Sequence, residues 1–285
     1  MLNTLARAEQ LLNLLTLEQI EENLFRGQNE DRGPLRLFGG QVLAQATSAA
    51  SATVADLHVH ALHAYFLTPG NPERPVVYEV ERIRDGRSFT TRRVVAIQDG
   101  QAIFSMDVSF QLDEIGVDHA HPMPNVPPPH ELQDDLEVVA NVGDSVGLPT
   151  NAARPRPFEL RSVFPIGSDA WAQNRYHNPV WIRFPQQIED QVLARSLLAY
   201  ASDMGLVDTA RYPHASDVAS DDVQKASLDH ALWIHRNVPM GEWLLLNKRT
   251  TNAFGGRGMV HADFFSKAGE LLASVTQEGL LRMQR

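Results

Sequence analysis

The sequence predicts an α+β fold made of two repeats, each a curved antiparallel sheet wrapped around one central helix. Three observations carry this. First, Gln41-Val42-Leu43-Ala44 recurs as Gln191-Val192-Leu193-Ala194, each time inside a helical, largely apolar segment. After each comes a strand with His, Ala and an aromatic, His63-Ala64-Tyr65-Phe66-Leu67 and then His230-Ala231-Leu232-Trp233-Ile234. Second, three more strand-like runs follow in both halves: Val76–Ile83, Ser88–Gln98 and Ala102–Gln111, then Trp243–Thr250, Gly256–Phe265 and Leu271–Leu280. Their period-2 patterns, with turns at Asp85-Gly86, Asp99-Gly100 and Ala268-Gly269, mark antiparallel hairpins. Third, Gln191–Ser202 is apolar almost all round, and a helix without a wide polar face is buried on most sides. The strands after it must therefore wrap it. A sheet curved around one helix is the hotdog arrangement, and two copies make a double hotdog.

Taken in order, Met1–Gln19 alternates Leu with Arg and Glu and reads as an amphipathic helix, not a signal peptide. The first repeat spans 1–115. A proline-rich linker, 116–157, follows; Pro122, Pro124, Pro127, Pro128, Pro129, Pro149, Pro155 and Pro157 remove backbone donors and fix φ, which suits a surface crossing and not a sheet. The second repeat spans 158–285. Among the 285 residues, 35 Asp and Glu outnumber 25 Lys and Arg, and this balance of −10 argues against a nucleic-acid partner. The absence of cysteine excludes a thiolate nucleophile, disulfides, Cys-ligated zinc and iron–sulfur clusters. No apolar run approaches the ~20 residues that span a bilayer, so no membrane is expected as a partner. With no targeting motif at the C-terminus, the expected location is cytoplasmic.

Several short motifs invite chemistry. Gly143-Asp144-Ser145-Val146-Gly147 matches the G-x-S-x-G nucleophile elbow, but Leu148-Pro149 follows it where a helix is required, and no βαβ rhythm surrounds it. His58, His60 and His63, with the pair His119 and His121, resemble a metal cluster. Only Asp56 stands close, and His63 points to the opposite strand face, so no metal is expected. Asp85-Gly86-Arg87-Ser88-Phe89 with Arg92-Arg93 is a turn leading into a basic strand, readable as plain turn chemistry or as an anion site at Arg87, Ser88 and Arg92. Phe38-Gly39-Gly40-Gln41 opens the first central helix. Its glycines either present bare N–H groups to an anion or carbonyl, or simply allow close packing.

The second half holds a more specific group. Asp203 ends the buried helix in Tyr200-Ala201-Ser202-Asp203-Met204-Gly205. There it faces the negative end of the helix dipole after an apolar stretch, and both effects raise a carboxylate's pKa, as suits a general base. Ser227 is read at the start of the following strand, and Gln277 within the last apolar strand. Individually each has a plain structural reading: a helix terminator, a strand-start hydroxyl and a polar sheet residue. The first half does not repeat them, so one half is expected to be catalytic and the other structural.

At these residues the sequence resembles the acyl-CoA thioesterase II family, double-hotdog enzymes that hydrolyse acyl-CoA to free acid and CoA. The resemblance runs through Leu11–Gly27, Phe38-Gly39-Gly40-Gln41, His63–Gly70, the Asp85–Phe89 turn with Arg92-Arg93, Trp181-Ile182-Arg183, Tyr200–Asp203, Leu228-Asp229-His230 with Trp233 and His235-Arg236, Glu242–Leu245 and Gln277-Glu278-Gly279. It implies a catalytic Asp, Ser or Thr, and Gln, which fall by motif on Asp203, Ser227 and Gln277. Ser227 stands where bacterial members often carry Thr; the hydroxyl is kept. The implied mechanism is attack by a water that the trio holds, with direct attack by Asp203 as an alternative. The oxyanion would be held from Gly39, Gly40 or Gln41 of the other half. No cofactor is implied, and the partners are acyl-CoA and further copies of the chain, as a dimer or tetramer of double hotdogs. The alternatives are a hotdog-fold hydratase or dehydratase on acyl thioesters, and a non-catalytic acyl-CoA-binding protein.

Overall fold

The computed structural model describes residues 3–30, 36–142 and 154–284. Helix α1 (Thr4–Leu15) starts where the Asn3 side chain accepts from the Ala6 N–H, and it buries Ala8, Leu11, Leu14 and Leu15. It ends four residues before the expected Gln19, because the chain turns into a short hairpin, β1 (Glu18–Glu21) and β2 (Leu24–Gly27). The two strands are only four residues each, too short to show a period-2 pattern. Helix α2 (Gly39–Ser51) follows, then β3 (His58–Phe66), β4 (Val76–Asp85), β5 (Phe89–Gln98) and β6 (Gln101–Gln111). The β5–β6 hairpin closes through Asp99 and Gly100, both at positive φ, as its two-residue turn demands.

Residues 112–128 carry no regular element and lie over the second repeat. Met123, Val126 and Leu132 pack on Val163, Trp181, Leu245, Phe265 and Leu271, and the Trp181 indole N–H donates to the Pro127 carbonyl at 2.9 Å. Helix α3 (Asp135–Val142) is tied down where the Ser162 N–H and hydroxyl both donate to the Asp135 carboxylate. The second repeat then runs β7 (Glu159–Ser162), α4 (Asp169–Gln173), β8 (His177–Arg183), α5 (Gln191–Ser202), α6 (Leu206–Arg211), β9 (Val223–Ser227), β10 (Asp229–Ile234), β11 (Leu244–Phe254), β12 (Arg257–Ser266) and β13 (Leu271–Met283). The Gly143–Gly147 elbow motif lies outside the described residues.

Among the described residues, thirteen strands form one antiparallel sheet in the order β1-β2-β4-β5-β6-β3-β10-β13-β12-β11-β8-β7, with β9 added on β13. The two repeats join where β3 pairs β10, Tyr65 opposite Asp229 and His63 opposite Ala231. Opposite burial overturns the pairing of His63 with His230 as equivalent positions. His230 is buried opposite Ala64, whereas His63 is exposed and packs edge-on against Trp233 on the outer face. A one-residue offset along a strand reverses the face.

Both central helices are enclosed. Every residue from Ala194 to Ser202 is buried, as are Gly40 to Thr47. Burying side chains such as Leu43, Leu197 and Leu198 contributes roughly 1.5–3 kcal/mol each. The helices lie antiparallel, for Gly40 abuts the Tyr200 carbonyl while Ser48 Oγ donates to Ser196 Oγ at 3.2 Å. This is the double hotdog. Its consequence for function is that the N-terminus of α2 and the C-terminus of α5 meet at one end of the molecule.

Candidate active site

Asp203 caps the C-terminus of α5 with its carboxylate buried. Gly39, the first residue of α2, faces it from the other repeat; a Cβ built there would stand 2.8 Å from Asp203 Oδ2 and 2.9 Å from the Phe66 ring. Sequence reading places this carboxylate against a negative helix end alone. The structure adds a positive one, since the N-terminus of α2 lies against it.

Ser227 donates to Asp203 Oδ1 at 3.0 Å, and Gln277 Nε2 donates to Ser227 Oγ at 2.7 Å. Three distant stretches of sequence are thus brought into one hydrogen-bonded row. Ser227 is not at the start of the strand after α5, as expected, but at the end of β9, a short strand that pairs β13 with Ser227 opposite Gly279. Gln277 lies two residues earlier on β13 and faces inward with Val275 and Ala273. Gly279 lets α6 pack on β13, because a Cβ there would meet Val207 of α6 at 2.7 Å.

A fourth residue completes the row. His230 Nδ1 is 2.7 Å from Gln277 Oε1 and His230 Nε2 is 2.8 Å from Ser202 Oγ. Burial is the main cause that lowers its pKa from 6.5 to about 4, against opposing contributions from Gln277 and Asp229, so the imidazole is neutral at pH 7. Sequence reasoning gave His230 no role. The available signal was its parity, for it shares the inward face with Leu232 and Ile234.

The first-repeat residues divide. Gly39 and Gly40 open α2, and their N–H groups belong to the first turn, which has no intrahelical acceptor. Gln41 is not available as a donor. Its backbone N–H goes to the Phe38 carbonyl at 3.1 Å, and its side chain is held by Asn29 Oδ1 and the Glu30 N–H.

Arg92 is corrected outright: it is 1% exposed and spends all its donors internally. Its Nε reaches Thr53 Oγ1, and its terminal nitrogens reach the carbonyls of Thr53, Arg84 and Thr91 and the Asp85 carboxylate. It pins the end of α2 to β4 and β5. Arg87 and Ser88 precede Phe89, which pairs Gln111, which in turn pairs His58. They therefore lie at the His58 end of β3, whereas the trio lies at the Phe66 end, about 26 Å away along the strand at ~3.3 Å per residue. The structure does not bring them to the trio.

The candidate metal histidines are also apart. His60 is bonded to Ser109 and His63 packs on Trp233, and among the described residues no group of three His, Asp or Glu side chains converges on a metal position. Nor, among the described residues, is any helix long and apolar enough to cross a membrane.

Residues 29–111 match the family described as acyl-CoA thioesterase N-terminal domain, and residues 169–280 match the family described as acyl-CoA thioesterase. The chain is 37% identical to acyl-CoA thioesterase 2 of Haemophilus influenzae, over 95% of this chain and 96% of that one. An acyl-CoA thioesterase II structure from Mycobacterium marinum superposes with a TM-score of 0.78 at 37% identity, covering 96% of this chain and 98% of the other. A hot dog protein from Alicyclobacillus acidocaldarius, at 21% identity, shares the fold with a TM-score of 0.78 over 97% of this chain and 99% of its own. Both repeats are matched and the identity extends over nearly the whole length: the chain belongs to the acyl-CoA thioesterase family.

Proposed function

We propose that this protein hydrolyses fatty acyl-CoA to the free acid and CoA, using a water activated by Asp203, Ser227 and Gln277. The observation that carries the reading is the row Gln277–Ser227–Asp203 lying against the N-terminus of α2. A water joins the row and attacks the thioester carbonyl while Asp203 takes its proton, a general-base contribution of typically ~10²–10⁴-fold. Ser227 and Gln277 fix its direction, which supplies part of the orientation term. The N–H groups of Gly39 and Gly40 hold the developing oxyanion at the positive end of α2. Departing thiolate needs little protonation, so no separate general acid is required. Phe38 and Phe66, both half-buried beside Gly39, give the acyl chain an apolar wall.

This site does not use Arg87, Ser88 or Arg92. For the CoA phosphates we propose Arg36, which is exposed and donates to the carbonyl of Lys225, two residues before Ser227. A hydratase or dehydratase calls for a His or Glu facing the substrate. His230 is buried behind Gln277 with both ring nitrogens hydrogen-bonded, which supports hydrolysis instead. We further propose a cytoplasmic location and a homo-oligomer, a dimer or tetramer, formed through the outer sheet surface where Tyr65 and Trp233 are exposed.

The test is release of free CoA thiol from acyl-CoAs of short to long chain, run beside the loss of enoyl absorbance on enoyl-CoA. Thiol release without hydration supports the reading. Hydration without thiol release assigns the dehydratase class, and binding without either reaction assigns a carrier.

A further inference from the structure

The row of hydrogen bonds does not stop at the trio. Ser202, His230, Gln277, Ser227 and Asp203 form a ring that leaves α5 at Ser202, crosses β10, β13 and β9, and returns to α5 at the next residue. We infer that His230 is a positioning residue that acts through Gln277, held as the Nδ1–H tautomer so that every donor in the ring points toward Asp203.

The direction follows from the chemistry of the groups. An ionised carboxylate only accepts, so the single proton of Ser227 is committed to Asp203 Oδ1. Ser227 Oγ then has only lone pairs for Gln277, which must present its NH₂ to Ser227 and its carbonyl oxygen to His230. That oxygen also only accepts, so the hydrogen lies on His230 Nδ1. With the ring neutral, Nε2 is left as an acceptor, and the one hydrogen of the Ser202 hydroxyl is shared between it and the Ala199 carbonyl, both at 2.8 Å. Aligned donors polarise one another, so each bond strengthens the next toward the carboxylate.

The opposite order serves Ser202 better but leaves the Ser227–Asp203 contact without a hydrogen while the carboxylate is ionised. Ser202 would give its proton to Ala199, His230 would carry its hydrogen on Nε2, and the Gln277 amide would be turned over. Ser227 would then point its proton at Gln277 and only lone pairs at Asp203, an arrangement that suits a protonated carboxyl and not a base. The direction set at Asp203 thus fixes the His230 tautomer, and the Nδ1–H in turn holds the Gln277 amide in the orientation that gives its NH₂ to Ser227. The burial of His230 supports this role, because a neutral imidazole with a pKa near 4 keeps one hydrogen over the whole neutral range.

The inference rests on the proposed hydrolysis only for its kinetic consequence; the tautomer is read without turnover. Nitrogen-15 correlation spectra of the histidine rings at pH 7 are expected to show His230 protonated on Nδ1 and bare on Nε2. Protonation on Nε2 overturns the inference, whether or not the protein cleaves acyl-CoA. Two substitutions of near-equal size give the kinetic test. In His230→Asn the amide NH₂ sits where Nδ1 stood and keeps the donor to Gln277. His230→Gln keeps a partner for Ser202 but presents only a methylene to Gln277. We expect kcat within about threefold of wild type for His230→Asn and a fall of about tenfold or more for His230→Gln, with KM unchanged in both. Equal losses in the two variants mean that His230 only fills space, and a selective loss in His230→Asn means that the Ser202 side is the one that matters; either result overturns the inference.

Discussion

Gln277 bridges His230 and Ser227 with one amide, its oxygen 2.7 Å from His230 Nδ1 and its nitrogen 2.7 Å from Ser227 Oγ. Neither end can be exchanged without a cost to the other. In Gln277→Glu the donor to Ser227 becomes an acceptor and a second negative charge enters beside Asp203. We expect kcat to fall by at least about a hundredfold with KM changed less than about threefold, measured by steady-state thiol release. A fall expressed in KM alone would place Gln277 in substrate binding instead.

The two glycines at the start of α2 should fail differently. A Cβ on Gly40 stands 2.6 Å from the Tyr200 carbonyl and 2.5 Å from the Phe38 ring, and backbone cannot step aside. Gly40→Ala is expected to lose about 1–3 kcal/mol of stability, read as a lowered urea midpoint. On Gly39 the added methyl meets the Asp203 carboxylate and the Phe66 ring, groups on rotatable bonds. Gly39→Ala should keep most of its stability and lose activity.

Arg92 is expected to behave as a structural bolt. Arg92→Met strands the Thr53 carbonyl and leaves other acceptors short of a donor, while the Thr53 hydroxyl keeps its bond to Ala50, at about 2–4 kcal/mol. The folded fraction should keep the wild-type KM for acyl-CoA. A raised KM at full stability would return Arg92 to the role of anion ligand.

Acid should weaken the protein partly through His230. Its pKa is lowered on folding to about 4, chiefly by burial, so the folded state holds it neutral while the unfolded chain takes up a proton once the pH falls below 6.5. Stability is therefore lost between pH 6.5 and about 4, and this gap corresponds to about 3 kcal/mol. Urea unfolding of wild type and His230→Asn at pH 7 and pH 4.5 should show the wild type losing about 2–3 kcal/mol more than the variant over that interval. Parallel losses would assign the acid sensitivity elsewhere.

Long, regular elements were legible in the sequence and short ones were not. The runs that became β4, β5, β6, β11, β12 and β13 each hold ten or more residues, enough for alternation to register, and α5 announced its burial by having no polar face. β1, β2, β7 and β9 have four or five residues, and nothing in so short a window separates a strand from a loop. Missing β9 is also why Ser227 was placed at the head of a strand instead of its tail. Asp203 was legible because a carboxylate ending an apolar helix is chemically out of place. His230 and Arg92 misled in opposite ways, since their roles depend on which face they occupy. Parity was readable for His230 from Leu232 and Ile234, whereas Arg92 looked like a surface cation until Thr53 was seen to receive it.

The central claim is that Asp203 activates the water. Asp203→Asn preserves the size of the side chain and an oxygen for the Ser227 hydroxyl, so a well-folded variant is expected. Steady-state thiol release on the acyl-CoA that wild type cleaves best tests it most directly. The account predicts a fall in kcat of at least about a hundredfold with the unfolding midpoint maintained. Turnover within a few fold of wild type in that variant would contradict it.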